Sequence, residues 1–287
     1  MSTWRAVIRD RRAVTGLAML AVMAVVALAA PWLAPADPMA QADILETRFL
    51  GPLATGPDGT IRWLGTDQLG RDLLSRLIFG TRISLSVGLL AALIAVVLGT
   101  AIGAIAATGG GALERVLMAV TDAVLALPRL VLLLALVALF QPGFWLVVLV
   151  IGFTGWMPVA RLARAEVKGL LARPFIEAAT AAGASRGRLL LRHLLPNALT
   201  PVVVAAALGI GNAIALEAGL SFLGLGIPAP TPSWGNMISS GRDALVQAPW
   251  IATLPGLAIV AAVVACNLIG DGVRDALDPQ ARTFGSV

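Results

Sequence analysis

Six runs of this chain hold no Asp, Glu, Lys or Arg: 13–36, 83–113, 130–160, 193–216, 218–241 and 244–270. Each is longer than the roughly 20 apolar residues a helix needs to cross a bilayer. The rest of the composition agrees. Hydrophobic residues make up 58% and charged residues 13%, against about 25% charged in an ordinary soluble domain, and the mean hydropathy is +0.89. So few polar residues leave a single soluble core uncovered. Disorder, collagen and nucleic-acid-binding tails are excluded on the same grounds. Cys266 is the one cysteine, which rules out a disulfide framework or thiolate cluster. The expected fold class is an all-α polytopic membrane protein.

Not every run reads as one span. Gln141, Pro142 and Gly143 form a turn signal that splits the third run into two helices. The fifth carries Gly219, Gly224, Gly226, Pro228, Pro230, Pro232 and Gly235, too many breakers for a lipid-exposed helix. It is expected as an irregular external loop. Six transmembrane helices remain, at about 14–33, 83–107, 116–140, 143–161, 197–218 and 250–272.

The net charge of +5 and pI near 11.1 suggest nucleic acid, but the distribution of the charge does not. The N-terminus (Arg5, Arg9, Arg11, Arg12), Arg115, the 161–192 loop and the tail (Arg274, Arg282) hold more than twice as many basic residues as the opposite side, where Asp37, Asp43, Glu46, Asp58, Asp67, Asp72 and Asp243 offset them. Basic residues mark cytoplasmic loops, so both termini are expected in the cytoplasm. The first run is too long for a signal peptide and shows no small-residue cleavage site near Pro31, Trp32 and Pro35. Trp32, Trp145 and Trp250 fall at outer helix ends, as headgroup-level belts or as plain packing.

The longest cytoplasmic connection, 161–197, is built of helix formers. Pro174 suits a first helical turn, Glu177 suits the positive end of a helix dipole, and Gly183 suits a helix end. A second helical run follows from Ser185 to the Pro196-Asn197 pair. Ala178, Ala179, Ala181, Ala182 and Ala184 present little bulk, so this segment either docks in a groove of another protein or lies on the inner leaflet.

In this segment E-A-A at 177–179, Gly183 and H-L-L-P-N at 193–197 resemble the cytoplasmic coupling motif of binding-protein-dependent ABC importer permeases, with His193 as in the peptide and nickel branch. Three further stretches resemble that branch: G-T-D-Q-L-G-R-D-L-L-S-R-L-I-F-G-T-R-I-S-L at 65–85, E-A-G-L-S-F-L-G-L-G-I-P with P-S-W-G at 217–235, and G-D-G-V-R-D-A-L-D-P at 270–279. The resemblance is to the second permease subunit and covers most of the chain after position 60. It implies a type I ABC importer transmembrane domain forming half of a translocation pathway in the inner membrane. It also implies a homologous second permease, two ATP-binding subunits and an extracytoplasmic solute-binding protein as partners. Glu177, Ala178, Ala179, Gly183 and Pro196 become the ATPase-coupling residues. Peptides are the leading cargo, with nickel complexes or glutathione as alternatives.

The chain itself offers no chemistry. It has no G-x-x-x-x-G-K-[ST], its one Lys is Lys168, and Gly109, Gly110 and Gly111 read as a turn. No cofactor is expected on this chain, ATP belonging to partner subunits, and one histidine makes no metal site. Three ionisable residues lie in or near the membrane: Asp122, Arg129 and Glu217. Such charges usually face a bundle interior or a pathway. Asp122 and Arg129, seven apart, share a face of one helix that Pro128 kinks. Arg129 either lines the pathway and attracts a cargo carboxylate, or is held by backbone carbonyls or a partner's acid. In the outer segment, 71–78 has the spacing of a short amphipathic helix resting on the membrane face.

The expected organisation is an N-terminus, first helix and outer segment over 1–80, a transmembrane core over 81–275 with the coupling loop at 161–196, and a tail over 276–287. The rival class is an ion-gradient-driven transporter, against which the absence of an evident internal repeat and the large Ala-rich loop both speak.

Overall fold

A computed structural model describes residues 10–41 and 43–277. Arg5, Arg9, Arg282 and the end of the tail lie outside the described residues. Five helices are long and apolar enough to cross a membrane, and a sixth span forms if one bent pair is counted together.

Asp10 opens α1 (Arg11–Leu28) by accepting the Ala13 N–H at 2.9 Å, and after Ala29 the chain bends into α2 (Ala30–Leu33). At the far end of the chain, α13 (Trp250–Leu277) packs back on α1, and a Cβ on Gly16 would sit 2.6 Å from the Ala265 carbonyl oxygen. Arg12 and Asp275 approach to 3.8 Å, so the two described ends share one end of the bundle.

The central element is α4 (Leu73–Gly109), about 55 Å long at 1.5 Å per residue. Its stripe of small residues accepts α8 (Trp156–Leu171) at backbone distance. A Cβ on Gly99 would stand 2.5 Å from the Trp156 oxygen, and one on Gly103 would run into the Ala160 oxygen. Small residues permit such close approach where no hydrophobic force drives helices together. The separate amphipathic helix expected at 71–78 is corrected here: Leu73 to Ile78 are the first turns of the long helix α4. Asp72 caps it through the Ser75 N–H, and Leu73 and Ile78 are buried instead of lying on a membrane face, Leu73 in a cluster with Met237, Ala244, Ala248 and Ile251. The helix therefore runs through position 80.

That outer segment contains a short helix, α3 (Ile44–Thr47), and a two-stranded antiparallel ribbon, β1 (Ala54–Thr55) with β2 (Ile61–Arg62). A buried cluster ties it to α4. Asp67 receives Arg71 Nε at 2.7 Å and lies 3.5 Å from Arg76 Nε, while Arg76 Nη1 donates to the Pro38 carbonyl at 3.1 Å. The G-T-D-Q-L-G-R-D stretch is thus the fastening of the outer segment.

At the opposite end, Gly110 (φ +58°) and Gly111 (φ +54°) turn α4 into α5 (Gly111–Leu125) with a backbone that favours glycine. The single kinked helix expected at 116–140 is corrected: α5 and α6 (Arg129–Ala138) meet at 84°. Pro128 cannot donate within a helix and restricts the residue before it, so the helix ends and restarts. Asp122 and Arg129 consequently do not share a helix face.

After α7 (Phe144–Phe153) and α8 come α9 (Pro174–Ala181) and a continuous helical stretch, Gly187–Phe222. It is made up of α10 (Arg186–Leu189), which begins one residue earlier, a π-helical turn (Leu190–Leu194) and α11 (Leu195–Phe222). The irregular loop expected over 218–241 is shorter than read. α11 extends to Phe222, and Ser233 begins α12 (Trp234–Gly241) with a reciprocal capping box with Asn236.

Candidate coupling surface and membrane cavity

The coupling candidates form one surface at the end of the bundle that also holds the two described chain ends. α9 begins at Pro174, which needs no N–H partner in a first turn. Its underside is anchored by buried Ile176, packed with Ala104 and Ala107 of α4, Val167 of α8, Leu194 and Ala198. Its upper side is open: Glu177, Ala178 and Gly183 are exposed and Ala179 is half-buried, with Phe175 also exposed. The helix ends in a Schellman closure. The Ala184 N–H donates to the Ala179 carbonyl at 3.1 Å and the Gly183 N–H to Thr180 at 2.9 Å, with Gly183 at φ +81°.

Pro196 is exposed and lies just past the π turn. Lacking an N–H, it cannot bond the Arg192 carbonyl, and its ring crowds that group. The Leu195 N–H reaches back to the Leu190 carbonyl, which closes the wider turn. Asn197 Nδ2 donates to the His193 carbonyl at 2.6 Å. His193 and Asn197 thus contribute to the backbone geometry that joins α9 to the long helix.

Beside this surface, Glu114 on α5 receives Arg164 Nε and Lys168 Nζ, each at 2.6 Å, which ties α5 to α8 just ahead of α9. Neither the composition nor the span assignment pointed to Glu114, whose partners lie 50 and 54 positions away.

The three membrane-associated charges go to three different places. Asp122 is exposed and stands 3.7 Å from exposed Arg161, on the same flank as Glu114. Glu217 is fully buried, at the end of the bundle away from the two described chain ends. Its Oε2 accepts Ser84 Oγ at 3.2 Å and its Oε1 accepts Ser221 Oγ at 2.7 Å. The same serine oxygens accept the Trp234 and Ile227 N–H groups, each at 3.2 Å.

Arg129 alone of the three lines a half-open pocket between α4, α8 and α11, a space of about 270 Å³. Ala91, Ala92 and Ala95 of α4, Gly155 just before α8, Pro158 within it, and Gly209 and Asn212 of α11 help line it. Arg129 Nη2 donates to the Ile151 carbonyl at 3.3 Å, while Nε is buried without a hydrogen-bond partner. Asn212 was missed in the sequence, although an amide inside an apolar run is the signal that could have found it. Among the described residues, no group of His, Cys, Asp and Glu is placed to hold a metal ion.

A family model described as "binding-protein-dependent transport system inner membrane component" matches residues 99–283. A second, the N-terminal transmembrane domain of oligopeptide transport permease C, matches 2–52. The di/tripeptide transport system permease protein DppC of Pseudomonas aeruginosa (strain UCBPP-PA14) is 42% identical over 278 residues, 96% of this chain and 91% of its own length. The dipeptide transport system permease protein DppC of Haemophilus influenzae is 39% identical, over 95% of this chain and 92% of its own. Among solved structures, the MetNI methionine ABC transporter in an inward-facing conformation superposes with a TM-score of 0.59 at 18% identity, covering 72% of this chain and 98% of that one. At that identity the likeness is one of fold.

Proposed function

The chain belongs to the family of binding-protein-dependent transport system inner membrane components, and on that premise we propose that it is one permease half of an ATP-driven importer of di- and oligopeptides. Its place is the cytoplasmic membrane, with both termini on the cytoplasmic side. A second permease completes the pathway, two separate ATPase subunits drive it, and a solute-binding protein delivers cargo from outside. The peptide assignment follows the names of relatives that align along nearly the whole chain. Dependence on a binding protein speaks against the ion-gradient alternative, in which one chain suffices.

The observation that carries the reading is α9: a short, small-surfaced helix exposed on one side and anchored on the other by Ile176. An ATPase cleft that grips Glu177, Ala178, Ala179 and Gly183 moves α8 and the long helix with it, since Ile176 packs on Val167, Leu194 and Ala198. ATP then acts by binding one arrangement of the ATPases better than the other, and α9 passes that difference to the membrane halves. No nucleotide site is required of this chain, and none is proposed for it.

Co-purification from native membranes tests the reading. The tagged wild-type chain is expected to bring down an ATPase and a second permease, and Glu177→Arg to lose the ATPase while keeping the permease. A chain that purifies alone and transports by itself overturns it.

A further inference from the structure

The cavity at Arg129 has a composition that a simple packing defect would not produce. Its walls are mostly Ala, Gly, Val, Leu and Pro, it contains one cation, and no carboxylate lines it. It is half open, with Pro158 and Asn212 exposed at its rim, and it lies part-way along the membrane span, beside Ala95, about 21 Å from the Gly109 end of α4 at 1.5 Å per residue. An ionised side chain at such depth is costly without an anionic or carbonyl partner. Arg129 has one such partner, the Ile151 carbonyl at 3.3 Å. Among the described residues no acid lies within ion-pair distance of it, and its Nε remains buried and unpaired. Gly155 makes the room: a Cβ there would come within 3.1 Å of Arg129 Nη2. Asn212 adds an amide to the same lining.

We propose that Arg129 and Asn212 form a carboxylate-binding subsite in the membrane pathway, which takes the C-terminal carboxylate of a peptide in transit. The inference rests on the peptide-importer reading. A guanidinium offers a fork of donors that matches the two oxygens of a carboxylate, and the Asn212 amide adds another donor. A half-open space of about 270 Å³ falls below the range of about 300–1,000 Å³ usual for sites that enclose a whole small ligand, which suits the terminal residue of a peptide better than a whole one. The small walls leave that residue's side chain unread, as a carrier of varied peptides requires. A moderate, partly solvated contact also allows release, where a fully enclosed ion pair would trap the cargo.

The test uses the complete importer in proteoliposomes, with its binding protein saturated by either a radiolabelled dipeptide or the C-terminal amide of the same dipeptide. Arg129→Gln is expected to lower ATP-dependent uptake of the free acid about tenfold or more and to leave the amide near its wild-type rate. Arg129→Lys is expected to restore part of the acid uptake, and Asn212→Ala to lower the acid selectively by a smaller factor. Equal losses for acid and amide, or no change in either, overturn the subsite; an Arg129 paired with an acid of the second permease gives the equal loss. If an assembled, ATP-hydrolysing wild-type importer takes up neither form, the peptide reading falls and the subsite with it. If Arg129→Gln does not assemble, Asn212→Ala decides alone: equal effects on the two cargoes overturn the proposal.

Discussion

Ser84 and Glu217 stand 133 positions apart and meet in the buried interior of the bundle, the Ser84 hydroxyl donating to Glu217 Oε2 at 3.2 Å. Ser221 does the same on Oε1 at 2.7 Å. Because the Trp234 N–H donates to Ser84 and the Ile227 N–H to Ser221, one carboxylate holds, through two hydroxyls, two points of the chain that follows α11. The E-A-G-L-S motif and the S-W-G motif are the two sides of this clamp.

Removing that carboxylate leaves buried hydroxyls unpaired, each costing about 1–3 kcal/mol. Glu217→Ala is expected to lower the thermal unfolding midpoint in detergent markedly and to open 223–233 to protease. Glu217→Gln, which keeps an acceptor and adds a donor, is expected to lose less. Equal melting of both variants with the wild type would show that the clamp is not needed.

Asp67 is buried against Arg71 and Arg76, and breaking a buried ion pair by removing one member costs about 3–5 kcal/mol. Asp67→Asn is therefore expected to unfasten the outer segment and expose 37–72 to limited proteolysis, with the helical core intact by circular dichroism. An unchanged digestion pattern would refute this.

Ile176 is the buried anchor of α9, and large-to-small changes of this kind cost about 2–5 kcal/mol. If α9 is the coupling helix, Ile176→Ala leaves ATP hydrolysis by the assembled importer running while uptake falls several-fold. Parallel loss of both activities would place the defect elsewhere.

Gly183 sits at φ +81° with nothing within 4 Å of a Cβ, so substitution there costs backbone strain of about 1–2 kcal/mol without any clash. Gly183→Ala is expected to weaken ATPase retention in co-purification modestly, and Gly183→Asn less, since Asn tolerates the left-handed region. Equal behaviour of Ala, Asn and Val at this site would contradict it.

Hydrogen bonds from the Thr60 hydroxyl and N–H, with Arg62 nearby, hold the exposed Asp58 carboxyl below the usual carboxylate range. A lowered folded-state value stabilises the turn fully above the ordinary carboxylate pKa, and the contribution disappears as pH falls through the lowered value. Hydrogen exchange at Thr60 is expected to show no opening of the turn between about pH 5 and 8 and increased opening only below about pH 4. Asp58→Asn should abolish that acid dependence.

Much of the molecule was legible in the chain alone. The spans followed from charge-free runs, because apolar length is what a bilayer selects. The motif around Glu177 resolved as an exposed helix with a glycine closure, since Pro174 and Gly183 act through local backbone preference. Other features were decided only by the tertiary structure. Whether Pro128 kinks a helix or ends it depends on what the next segment packs against, and here α6 turns through 84°. Residues 71–78 have the pattern of a surface helix, yet they open the long α4, with Arg71 and Arg76 paired to buried Asp67 and Leu73 packed with Met237, Ala248 and Ile251. Asp122, Arg129 and Glu217 look alike in sequence as charges near a membrane. Packing placed one at the surface, one in a cavity and one in a clamp, because partners 39, 22 and 133 positions away determine where a charge can be satisfied.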